Sequence, residues 1–90
     1  MSVVDNPGAA RYELRLDGAV AGFITYRTKD DSISLLHSDI DPELEGQGLG
    51  SRLVRGTLND ARARGLAVKP VCPFVVAFIE SHPEYADLVR

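Results

Sequence analysis

The sequence predicts an α+β fold, with mixed α/β layers, in the order β-β-β-α-β-α. Three observations support it: consecutive strand-like runs, a glycine loop that opens an amphipathic helix, and a short apolar run followed by a second helix. A strand, helix and strand in succession imply a parallel pair with a right-handed crossover, added to an antiparallel meander. Ninety residues suffice for one core, so we expect a single domain over residues 1–90.

The first half of the chain predicts three strands. Residues 11–16 alternate polar and apolar side chains, which is typical of a half-buried strand. Asp17-Gly18 predicts a tight turn, and the β-branched and aromatic run 19–28 is the return strand. Residues 32–40 form the third strand, and residues 3–10 are predicted to be an irregular lead-in.

The second half predicts two helices around one more strand. Apolar residues at steps of three and four indicate an amphipathic helix over 48–64, ended by Gly65. Residues 66–72 are short and apolar and predict a fourth strand. A second helix follows over 74–81, and residues 84–90 are expected to pack back as a final turn.

Composition and charge exclude several functional classes. Apolar residues make up 44% and the formal net charge is −3, so the chain is an ordinary globular sequence without the basic excess of nucleic-acid binders. No apolar run approaches the roughly 20 residues that cross a bilayer, and residues 1–6 lack the features of a signal peptide. The single cysteine, Cys72, excludes an internal disulfide and a cysteine-rich metal site. We therefore expect a cytoplasmic protein with no metal, no nucleic acid and no membrane as partner.

Three glycines between a predicted strand and the first helix indicate a phosphate site. Gly46, Gly48 and Gly50 allow a ligand to approach the backbone closely, and the first helical turn offers unpaired amides. A phosphate or pyrophosphate suits that position, and Ser51 adds a hydroxyl. The loop is not a P-loop, because a P-loop ends in Gly-Lys-Ser/Thr and here Gly50 is followed by Ser51 and Arg52. The spacing of its glycines does not fit the dinucleotide-binding fingerprint either. The alternative is that the glycines only turn the chain.

Residues 40–53, Ile-Asp-Pro-Glu-Leu-Glu-Gly-Gln-Gly-Leu-Gly-Ser-Arg-Leu, resemble the acetyl-CoA motif of the GCN5-related N-acetyltransferases. That motif reads Arg/Gln-x-x-Gly-x-Gly/Ala, and Glu45 stands at its first position, so we expect Glu45 to point away from the ligand. Segments 36–38, 70–74 and 82–85 are similar to the short single-domain, YjdJ-like branch.

The resemblance implies a minimal form of that fold, with a sheet that splays between the predicted third and fourth strands. It also implies that acetyl-CoA or coenzyme A binds there, with pantetheine against the third strand and pyrophosphate over the glycine loop. The implied cofactor-binding residues are Ser38, Asp39, Ile40, Gly46, Gln47, Gly48, Leu49, Gly50 and Ser51.

The candidate catalytic residues are His37 and Cys72, which lie on the two predicted walls of the splay. A histidine can act as a base at neutral pH. Cys72 precedes a helix start, where thiol pKa values fall, and it could accept the acetyl group or donate a proton to the leaving thiolate. Family members often use a tyrosine on the last helix as the acid. Residues 74–81 contain none, and Tyr85 could replace it only if the tail folds back.

Three functions remain open from the sequence. The first is an N-acyltransferase that moves an acetyl group from acetyl-CoA to an amine of a small molecule or a protein. The second is a non-catalytic CoA-binding module that acts as a sensor or interaction domain. The third is a structural α+β domain without a ligand.

Overall fold

The computed structural model describes residues 2–44 and 46–89 and confirms a mixed α+β architecture. Short 3-10 segments occur at Pro7–Ala9, Pro42–Leu44 and Pro83–Leu88. The strands and α-helices are β1 (Ser2–Asn6), β2 (Arg11–Leu16), β3 (Ala19–Lys29), β4 (Ser32–Ile40), α1 (Leu49–Ala63), β5 (Ala67–Pro70) and α2 (Pro73–Ser81).

The five strands form one sheet in the order β1-β2-β3-β4-β5. The first four pair antiparallel, and β5 pairs parallel to β4, as a strand, helix and strand unit requires. The prediction that residues 3–10 are irregular was wrong, because β1 pairs with β2 in register from Ser2↔Arg15 to Asn6↔Arg11. The third and fourth predicted strands are therefore β4 and β5.

Close packing against α1 explains why β1 forms. A Cβ on Gly56 would lie 2.7 Å from the Cβ of Val3, so the missing side chain lets helix and strand approach. Val3 also packs against the main core. The strand is thus stabilised by tertiary contact as well as by its ladder with β2.

The sheet opens between β4 and β5. Their pairing runs only from Ser32↔Ala67 to Leu35↔Pro70. Past this point the amides of Val71 and Cys72 both donate to the Leu35 carbonyl, at 3.0 Å each. The β3–β4 register slips at the same level, where Leu36 is an extra residue on β4. Bulges of this kind bend a strand and often occur beside active sites. The structure therefore confirms the predicted splay.

Both helices pack on one face of the sheet. Leu14, Ile24 and Leu35 on the strands are fully buried, as are Leu58 of α1 and Val75 of α2. Within residues 2–44 and 46–89, no helix covers the second face, and no helix is long and apolar enough to cross a membrane.

Candidate functional site

A cavity of about 440 Å³ lies between the end of β4 and the start of α1. Almost all of the predicted cofactor-binding residues line it: Ser38, Asp39, Ile40, Gly46, Gly48, Leu49, Gly50 and Ser51. Gln47 is the exception, since its side chain is exposed and is not part of the lining. Glu45 lies outside the described residues.

The glycine loop presents free backbone amides to this cavity. Gly46 and Gly48 have φ values of +86° and +74°, a left-handed conformation that favours glycine. The N-cap residue, Gly48, has no side chain to cap α1, and among the described residues the first intrahelical bond runs from the Arg52 amide to the Gly48 carbonyl, at 3.3 Å. The amides of residues 49–51 therefore have no acceptor within the helix. Such a helix start attracts an anion.

The rest of the lining is mostly apolar. Leu44, Leu53, Val54 and Phe74 complete the wall. A Cβ on Gly50 would lie 2.8 Å from Cζ of Phe74, so the third glycine lets the ring close against α1. Phe74 was not among the predicted site residues, although a glycine inside an otherwise regular helix signals a close neighbour.

Cys72 lies where β4 and β5 separate and is hydrogen-bonded to Ser38 in the cavity wall. Its side chain is buried, and Sγ is 3.2 Å from Oγ of Ser38. Burial alone would raise the pKa of the Cys72 thiol. Hydrogen bonds from the Ser38 hydroxyl and from the amides of Val75 and Phe74 outweigh burial and hold this pKa below its ordinary value.

Comparison with known proteins identifies the family. A sequence profile for the GCN5-related N-acetyltransferases matches residues 11–88, most of the chain. The chain belongs to the GCN5-related N-acetyltransferase family. A GCN5-like protein from Staphylococcus aureus, solved by NMR, shares the fold with a TM-score of 0.74 and 24% identity, over 99% of this chain and 87% of the other. No curated protein matches the chain in sequence.

In this family member, His37 and Cys72 lie on opposite sides of the sheet: His37 is on β4, and Cys72 precedes α2. His37 pairs with Thr25 and lies 6.4 Å from the Phe23 ring centroid, on the face that the helices leave uncovered. Neighbouring residues of a strand point in opposite directions, so Ser38 faces Cys72 and the cavity, whereas His37 faces outward and is exposed. The structure therefore does not bring the two candidate catalytic residues together, and neither is part of the described lining of the cavity.

No tyrosine is present in the described lining of the cavity. Tyr85 is buried against α1, where its hydroxyl donates to Asn59 Oδ1 at 2.8 Å. The tail does fold back, but onto the flank of α1. The His82 and Phe78 rings are stacked, with centroids 3.9 Å apart, and His82 Nδ1 lies 2.7 Å from the Phe78 carbonyl oxygen.

The family generally uses acetyl-CoA, and the residues of this site suit such a molecule. The unpaired amides of residues 49–51 suit a diphosphate, and the apolar wall suits an extended chain. Within residues 2–44 and 46–89, no group of three or more His, Cys, Asp or Glu side chains is placed to hold a metal ion.

Proposed function

We propose that this protein takes an acetyl group from acetyl-CoA and transfers it to an amine. One observation carries the proposal: a single cavity joins the uncapped start of α1 to Ser38, which contacts Cys72 at the splayed strands. An anion-binding end and a reactive end in one cavity suit a molecule with a diphosphate at one end and a thioester at the other.

The chain's own backbone would supply most of the binding. The amides of Leu49, Gly50 and Ser51 would hold the diphosphate, because α1 gives them no other acceptor. The backbone of β4 from Ser38 to Ile40, which has no β5 partner, would bind the pantetheine arm. Gln47 would contribute by turning its exposed side chain toward the loop.

Two side chains would act as the general base and the general acid. Acetyl-CoA supplies an activated acyl group whose sulfur leaves as a thiolate. His37, on the uncovered face, would take the proton from the attacking amine at a ring nitrogen. Cys72 would give the proton at Sγ to the departing sulfur, since its lowered pKa makes it a readier acid than an ordinary thiol. The alternative role for Cys72 is to accept the acetyl group itself and pass it on.

A second candidate function is a CoA-binding module without turnover. The position of Tyr85 favours it, because this tyrosine is hydrogen-bonded to Asn59 and does not line the cavity, where the family's usual acid would act. Both candidates require CoA binding, and only the first requires a working proton donor.

Acetyl transfer to a panel of amines, measured as CoA release, tests the proposal. We expect His37→Ala and Cys72→Ala to keep the wild-type affinity for acetyl-CoA and to lose about 100-fold in turnover, the lower range for general acid or base catalysis. Cys72→Ser controls for side-chain size. Wild-type turnover in either alanine variant would remove that residue from the mechanism. Binding without turnover on any amine would favour the second candidate.

A further inference from the structure

The sheet face opposite the helices, here called the open face, carries an excess of positive charge. Its residues follow from strand register, because directly paired residues point to the same side. Two carboxylates lie on it, Glu13 and Asp39, although the whole chain has a net charge of −3. The cationic residues of the open face are Arg11, Arg15, Arg27, Lys29 and Lys69.

Two of these cations share a single carboxylate partner, and the other three have no ion pair among the residues that the structure describes. Arg11 and Arg15 both bind the buried Glu13 carboxylate, at 2.8 and 2.7 Å. Arg27, Lys29 and Lys69 are exposed, and none has an ion pair within the described part of the chain.

Arg27 and Lys69 lie just below the opening between β4 and β5. Arg27 pairs with Ser34, and Ser34 pairs with Lys69, so these three residues form a row across three strands, the cationic row. Adjacent strands are about 4.8 Å apart, so the two charges sit about 10 Å from each other at the backbone. The next pair along, Leu35↔Pro70, is the last before the strands separate.

The other end of the open face is concave and carries two carboxylates without an ion pair within the described residues. A recess of about 220 Å³ is lined there by Asp39 and Asp41. It is also lined by Arg11, which packs over the Phe23 ring and pairs with Glu13. It shares Asp39 and Ile40 with the cofactor cavity, so the end of β4 is a wall common to both. His37 lies on β4 between this recess and the cationic row.

The two ends of the open face therefore attract groups of opposite charge. A protonated amine is attracted to Asp39, and anionic groups are attracted to Arg27 and Lys69, with His37 in between. Along β4, Ser34 and Asp39 are about 15 Å apart, which is the length of four to five extended residues. A small amine would not span that distance, whereas a peptide would.

We propose that the acceptor is an acidic protein segment, whose lysine or terminal amine enters beside His37 while neighbouring carboxylates bind the cationic row. This rests on the proposed acetyl transfer, because it assigns the open face to the acceptor. Ion pairs between the acceptor's carboxylates and the exposed Arg27 and Lys69 would select for acidic flanking residues and orient the segment. Because these ion pairs are exposed, the binding affinity should fall as salt rises.

Peptide binding tests the inference without requiring turnover. Three fluorescent seven-residue peptides, each with one lysine flanked by Glu, Gln or Arg, are titrated with the protein at low salt and followed by anisotropy. We expect the Glu peptide to bind tightest, and Arg27→Ala and Lys69→Ala each to weaken it about two- to fivefold, as for exposed ion pairs. The double variant Arg27→Glu/Lys69→Glu should prefer the Arg peptide. Ala63→Glu, which changes net charge as much as one alanine variant but lies on exposed α1 surface, should leave the preference unchanged.

The outcomes separate this inference from the proposed function. Equal affinity for the three peptides, or a preference that survives the double reversal, would overturn the assignment of the acceptor. A small amine that displaces the Glu peptide poorly but is acetylated faster would also overturn it. The affinity of the same variants for acetyl-CoA should stay at the wild-type value. If the wild-type protein does not bind acetyl-CoA, the proposed function is contradicted instead.

Discussion

Replacing Gly48 with alanine should separate two contributions of this glycine: the free energy of unfolding that depends on its backbone conformation, and its role in acetyl-CoA binding. Gly48 has φ +74° directly before α1 and lines the cavity. An L-residue in that region costs about 1–2 kcal/mol. A Cβ there would have no protein atom within 4 Å, so the new methyl group would occupy space at the cavity wall.

The structure provides a matched control at the other end of the same helix. Gly65 has φ +70°, and a Cβ on it would also have no atom within 4 Å. Gly65→Ala should therefore cost the same free energy of unfolding as Gly48→Ala without touching the cavity. For a chain of 90 residues, each kcal/mol lowers Tm by about 5 °C, so both variants should lose about 5–10 °C.

Cofactor affinity should differ between the two variants. A hydrogen bond from an amide to a charged group contributes about 1.5–3 kcal/mol, so displacing one diphosphate contact by the Gly48 methyl should weaken acetyl-CoA binding between about tenfold and a hundredfold. Gly65→Ala should bind within about twofold of the wild type. Isothermal titration calorimetry, with Tm from circular dichroism, measures both quantities. If Gly48→Ala binds acetyl-CoA as tightly as Gly65→Ala, the loop at the start of α1 does not hold the diphosphate.

Two further predictions concern single titrating groups. Ser38→Ala removes the hydroxyl 3.2 Å from Sγ of Cys72, so the pKa of this thiol should rise. Because Cys72 is the chain's only cysteine, thiolate absorbance against pH reports this pKa directly. An unchanged titration curve would mean that the hydroxyl does not stabilise the thiolate. Bonds from Arg15, Arg11 and the Asn6 amide lower the pKa of Glu13 from 4.5 to about 2, so its stabilising contribution is complete above about pH 4.5 and is lost as pH falls toward 2. Urea unfolding from pH 6 to 2 should show this loss in the wild type and a flatter profile in Glu13→Gln, and parallel profiles would contradict it.

Local pattern predicted most of the sheet and both helices. The alternation at 11–16, the Asp17-Gly18 turn and the period of residues 49–63 are set by neighbours in sequence, and the structure places these elements within a few residues of the prediction. The parallel pair and its splay followed from the order of the elements and from the family resemblance.

Tertiary contacts explain what local pattern did not reveal. β1 was missed because residues 2–6 lack a clean alternation and precede Pro7-Gly8, while the strand is held by β2 and by the contact of Val3 with Gly56. A glycine in the middle of a regular helix was the available signal for that contact.

The geometry of the glycine loop was more predictable from the sequence than the placement of His37 and Cys72, the two candidate catalytic residues. The glycines depend on backbone geometry that sequence encodes directly, with φ values above +70° at Gly46 and Gly48. The contact between Ser38 and Cys72 joins residues 34 positions apart, so no local pattern contains it. Strand alternation could have shown that His37 and Ser38 face opposite sides, and hence that the serine, not the histidine, meets the thiol.

Amide chemical shifts during a titration with acetyl-CoA test the central claim most directly. If the unpaired amides at the start of α1 bind the diphosphate, saturable shifts should appear at residues 46–51 and at 38–40, with a Kd below about 1 mM. The amides near Gly65, at the far end of α1, should not move. No shifts at millimolar acetyl-CoA, or shifts confined to residues outside the cavity, would contradict the account.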